Sequence, residues 1–100
     1  MAMTKRLQGK RVLVTQADDY MGPATVELFG AEGADLIADT RDLTVHGACE
    51  NLAAEAGPVD VLIANLASPN YSGIAATDLD DEAWAHTFEM MVHPLHRLTR

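Results

Sequence analysis

The chain has 100 residues, enough for one small domain, and 48% of them are apolar, as in a soluble globular protein. Its formal net charge of −8 argues against a nucleic-acid role, because phosphates are bound by clusters of Lys and Arg. No stretch approaches the ~18 apolar residues of a membrane span, and the start "MAMTKRLQGKRVLV" lacks the apolar core of a signal peptide. A single cysteine, Cys49, excludes an internal disulfide framework. These features describe a cytoplasmic protein with no nucleic-acid or membrane partner.

The first element is a strand over residues 11–15, where Val12, Leu13 and Val14 form the continuous apolar run of a parallel strand covered on both faces. A turn, "TQADDYMG", follows over residues 15–22. Pro23 then suits the first turn of a helix, where its missing N–H costs nothing. Ala24, Leu28 and Ala31 share one face of that helix, with Val26 and Phe29 flanking it, and Gly33 is placed to stop it. "ADLIAD" is a second short strand. Val45, Ala48, Cys49, Leu52, Ala53 and Ala56 have helical spacing over residues 44–56, ended by Gly57 and Pro58. "VDVLIAN" is a third buried strand.

A loop, "LASPNYSGIAATDL", leads to the last helix, with Asp80 as its N-cap and Leu79 and Trp84 at the staple positions. Trp84, Phe88, Met91, Leu95 and Leu98 make its apolar stripe. Pro94 should kink it. The helical pattern runs to Arg100 without a stop signal, so the chain is expected to be the first part of something longer.

Alternating strands and helices predict an α/β fold with a parallel sheet and right-handed crossovers. Ligands of such sheets bind off the C-terminal strand ends, here the loops at 15–22, 40–43 and 65–79. The first loop sits where a nucleotide-binding turn belongs, yet it opposes a dinucleotide. Gln16 and Tyr20 stand where side chains would block the approach of a pyrophosphate, and Asp18 and Asp19 add negative charge. The helix N-terminus at Gly22 and Pro23 still offers N–H groups and a positive end, sufficient for a small anion. Tyr20 could present the electropositive edge of its ring to that anion, or it could merely fill a hole.

The residues "LQGKRVLVT", "VELFGAEGAD", "GPVDVLIAN" and the long helix with "LTR" together resemble the N-terminal half of the short-chain dehydrogenase/reductase superfamily. The resemblance implies that residues 1–100 are the N-terminal part of a single Rossmann-like domain. Three features depart from the dehydrogenases. Of their TGxxxGxG turn only Thr15 and Gly22 survive, their NNAG-like strand end reads "ANLA", and a frequent active-site Asn falls roughly at Met91.

These departures resemble the halohydrin dehalogenases, a cofactor-free branch with the turn pattern T-x4-[FY]-x-G. Thr15, Tyr20 and Gly22 match it, and separately the His93–Pro94 step resembles a basic-residue-then-Pro step in the family's long helix. The resemblance implies a halide site at Tyr20 and Gly22, and a substrate-lining stretch at "SPNY" with Pro69 and Tyr71. It implies closure of a vicinal haloalcohol to an epoxide with release of halide, and the reverse opening of epoxides by small anions. No nicotinamide or other cofactor is needed, because no hydride moves. The family's Ser, Tyr and Arg would lie beyond residue 100, so the chain alone is expected to be inactive.

The interval between Asp39 and the helix at 44 is too short for the extra helix and strand of a full dinucleotide fold, which removes walls an adenosine would need. Asp39 and Arg41 read best as a surface ion pair. Cys49 reads as a small core residue, Met90 and Met91 as packing, and the acidic run Asp78, Asp80, Asp81, Glu82 as charge suited to a helix start. His86, His93 and His96 lack the companions of a metal site. The superfamily's long helix packs against its mate in a second subunit, which implies a homo-oligomer through the C-terminal helix. Two alternatives stay open: an NAD(P)-dependent oxidoreductase with a degenerate turn, and a non-catalytic α/β module that dimerises through its last helix.

Overall fold

The computed structural model describes residues 5–67 and 73–100. Three parallel strands, β1 (Arg11–Val14), β2 (Asp35–Ala38) and β3 (Val61–Ile63), form a sheet in the order β2-β1-β3. β1 is central, with Val12 opposite both Leu36 and Val61, and Leu13 opposite Ile37 and Leu62. The fold is the expected α/β, Rossmann-like open sheet.

Alternation along β1 assigns its side chains to two cores. Val12 and Val14, both fully buried, point to the face covered by α1 (Gly22–Ala31), where Val26 and Phe29 pack. Leu13 points to the opposite face, against Cys49, Leu52 and Ala56 of α2 (Ala48–Ala56) and the buried Leu43. Burying one such aliphatic side chain stabilises by roughly 1.5–3 kcal/mol, so this central strand organises both layers. No helix or strand lies between β2 and α2, as the short interval in the sequence requires.

The buried face of α1 differs from the expected one. Val26 and Phe29 reach the core, while Ala24, Leu28 and Ala31 face solvent, Leu28 being 54% exposed. The helix is apolar on several sides, so spacing does not select the stripe; contact with Val12 and Val14 does. Its end is as expected. Gly33 adopts φ +89°, and the Gly33 and Ala34 amides bond to the carbonyls of Gly30 and Phe29, which satisfies the last turn.

The helix expected over 44–56 begins only at Ala48, because Gly47 is left-handed at φ +80° and precedes it as N-cap. Val45 is consequently exposed. The last helix is divided rather than bent. α3 (Asp81–Met91) ends at Val92, and α4 (His93–Thr99) restarts with Pro94 in its first turn. Pro94 cannot supply the amide that a continuous helix would use there. Asp80 caps α3 as expected, its carboxylate accepting from the Ala83 amide at 2.7 Å. The apolar stripe is mostly exposed. Leu98 packs on the α2 core, but Trp84, Phe88, Met91 and Leu95 face outward, with Trp84 against Phe88 at a ring separation of 5.7 Å.

Candidate functional site

All three strands run parallel, so their C-terminal ends open on one side of the sheet. The connection after β1 enters α1 on one face, while α2 lies on the other, which makes the gap between β1 and β3 the switch point where such folds take ligands.

The first turn is tied to both neighbours. The Ala17 amide donates to the Asp39 carbonyl at the end of β2, at 2.9 Å. On the β3 side, the buried Thr15 hydroxyl donates to the Asn65 carbonyl at 2.9 Å. The Asn65 carboxamide donates to the Gln16 and Asp19 carbonyls, each at 2.9 Å. Gln16 completes the set, its side-chain oxygen accepting from the Ala67 amide at 2.8 Å.

The backbone of this turn takes glycine-favouring conformations at two positions that are not glycine. Gln16 and Tyr20 are held at φ +45° and +50°, in the left-handed region that favours glycine. Gly22 has no alternative: a Cβ there would sit 2.5 Å from the Ala17 carbonyl oxygen. Residue 22 is a close backbone approach, while the two left-handed positions, 16 and 20, carry side chains.

The sequence-derived site residues are distributed unevenly. Tyr20 and Gly22 share the turn, but Tyr20 projects into solvent and is 75% exposed, whereas Gly22 is buried. Pro69 and Tyr71 lie outside the described residues. The N-terminus of α1 carries no side-chain cap, but the amides expected there for an anion are not free: the Gly22 amide donates to the Asp19 carbonyl at 2.8 Å and Pro23 has no N–H.

A cleft of about 420 Å³ lies beside the turn and is lined by Gln16, Asp18, Asp19, Asp42, His86 and Met90, among others. It gathers the loops after β1, β2 and β3 together with α3. Asp18 and Asp19 are exposed on its rim. The Thr44 hydroxyl at 2.7 Å and the Thr44 amide at 2.9 Å hold the Asp42 carboxyl below its ordinary range, with a smaller contribution from His86. The Arg41 guanidinium is taken up by Asp39, at 2.9 Å, and by Glu55 on α2. The Arg41 charge is therefore already compensated by two carboxylates. The cleft is left acidic, which opposes a diphosphate.

A larger hollow of about 610 Å³ lies away from the strand ends, near the start of α2 and beside α4. Its Arg97 and Arg100 are paired with Glu89 and Glu50. We assign function to the smaller cleft, because the loops of all three strands converge on it. Cys49 is buried, and burial raises its thiol above the ordinary value, so it is a core residue. Among the described residues no group of three or more His, Cys, Asp or Glu side chains is arranged to hold a metal ion. No described helix is long and apolar enough to cross a membrane.

Sequence reasoning missed Gln16 as a strap, Asn65 as the turn's donor, and Asp42 and His86 as cleft residues. The Asp-x-Thr spacing of Asp42 and Thr44 was an available signal for a local side-chain turn. The Gln16–Ala67 and Asn65–Gln16 bonds are non-local and had none. Neither a protein-family model nor a curated protein sequence matches the chain.

Proposed function

We propose that the chain belongs to a cofactor-independent enzyme of the short-chain dehydrogenase/reductase type that works as a halohydrin dehalogenase. It would convert vicinal haloalcohols to epoxides and halide, and run the reverse with small anions. The observation that carries this reading is the first turn. It has glycine-favouring left-handed backbone at residues 16 and 20 and a close backbone approach at Gly22, yet the Gln16 side chain is bonded across to Ala67 and carboxylates stand beside it. A dinucleotide meets both bulk and like charge there.

In this reading the halide lies at the turn beside the cleft, with the Tyr20 ring as its outer wall and the N-terminal end of α1 at Gly22 supplying positive potential rather than a free Gly22 amide. Asp18 and Asp19 are exposed on the cleft rim, where water screens them. A leaving halide gains charge in the transition state, so a preorganised positive end lowers the barrier. The alkoxide-forming Ser, Tyr and Arg of the resemblance would come from residues beyond Arg100, with Pro69 and Tyr71 in the substrate loop. Calorimetry of the intact protein with NADH and NADPH tests the reading. No heat of binding is expected, and a micromolar dissociation constant for either would overturn it.

The exposed stripe of Trp84, Phe88, Met91, Val92 and Leu95 favours a second reading, self-association through the last helices. That property is compatible with the enzyme and would stand alone if the chain were a non-catalytic dimerisation module.

A further inference from the structure

We propose that Gln16 is the specificity-determining residue that closes the β1–β3 crevice to a diphosphate. This rests on the cofactor-free reading above and names the group that enforces it.

Three features could exclude a diphosphate: the Asp18 and Asp19 charges, the Tyr20 ring, and the Gln16 side chain. Asp18 and Asp19 are exposed, so water and salt screen them. The Tyr20 ring is 75% exposed and stands out from the turn. Gln16 is different. Its backbone carbonyl receives the Asn65 carboxamide at 2.9 Å, and its side-chain oxygen receives the Ala67 amide at 2.8 Å. The side chain therefore bridges from the loop after β1 to the loop after β3, across the switch point. The bridge also occupies the Ala67 amide, a donor from the second wall of the crevice.

A diphosphate entering here must break the Gln16–Ala67 bond and displace the side chain. Left-handed backbone at residue 16 is a conformation glycine adopts freely. Replacing Gln16 by glycine should therefore open the crevice without disturbing the turn.

The test titrates inorganic pyrophosphate, which needs no adenosine wall, into the intact protein by calorimetry, comparing wild type, Gln16→Gly and Asp18→Asn/Asp19→Asn. Wild type is expected to give no heat of binding. Gln16→Gly should bind with a dissociation constant at least tenfold below the highest concentration that leaves wild type silent, and should lose hydrogen-exchange protection at the Ala67 amide. The double asparagine variant should behave as wild type. Gln16→Ser, too short to reach Ala67, repeats the test should the glycine variant not fold. The proposal is overturned if the shortened variant melts like wild type yet still refuses pyrophosphate, if wild type binds it, or if the asparagine variant alone gains binding. Binding of NADH by wild type would instead sink the cofactor-free reading itself.

Discussion

The Asn65 carboxamide donates to the Gln16 carbonyl across 2.9 Å, joining the end of β3 to the turn that follows β1. The same group holds the Asp19 carbonyl at 2.9 Å, and the Asn65 carbonyl receives the Thr15 hydroxyl. One buried side chain thus fixes the shape of a turn whose residues 16 and 20 occupy conformations they would not choose alone. Asn65→Ala removes both side-chain bonds, although each carbonyl keeps one backbone amide, that of Asp19 on Gln16 and that of Gly22 on Asp19. A loss of about 2 kcal/mol is expected, read by urea denaturation. A loss under a few tenths would mean that the turn holds its own shape.

Gly22→Ala places a methyl group 2.5 Å from the Ala17 carbonyl oxygen, which is backbone and cannot swing away. The turn must shift, at about 1–3 kcal/mol, the usual cost of overpacking. Thermal melting of the variant reads this directly. An unchanged midpoint would show that the close approach of residues 17 and 22 is dispensable.

Asp42 gives the fold a specific acid sensitivity. Its folded carboxyl is held below the ordinary value, chiefly by the Thr44 hydroxyl and then by the Thr44 amide. A depressed carboxyl stabilises the folded state above its unfolded pKa, and that contribution is lost as pH falls through the folded value. Thr44→Val removes the first cause, so the Asp42 pKa should rise and this part of the acid limb should shrink. Carboxyl NMR titration of Asp42 in both proteins measures the shift. An identical titration would assign the depression elsewhere.

β1 was legible because a central parallel strand is apolar without interruption, and Val12, Leu13 and Val14 are β-rich and closely bounded by polar residues. Asp80 and Gly33 were legible because caps are local chemistry. The faces of α1 were not, since Leu28 and Phe29 are equally apolar and only the position of Val12 and Val14 decides between them. Val45 matched a helical spacing that the left-handed Gly47 interrupts. Tyr20 and Gly22 could be picked out as a turn motif. The bond from Gln16 to Ala67 spans two loops 51 residues apart and exists only once the sheet has formed.

Tyr20→Ala should weaken bromide inhibition of ring closure by about 1–2 kcal/mol, the scale of one aromatic or polar contact. Tyr20→Phe should change it less if the ring edge carries the interaction, and as much if the hydroxyl does. Inhibition constants for the three proteins decide. An unchanged constant in the alanine variant would remove Tyr20 from the proposed halide site.

The most direct measurement is halide release from a vicinal haloalcohol by the intact protein, in buffer free of nicotinamide. Stoichiometric halide and epoxide, at a rate unaffected by added NADH or NADPH, is the expected result. An absence of halide release, together with alcohol oxidation that requires NAD or NADP, would contradict the account.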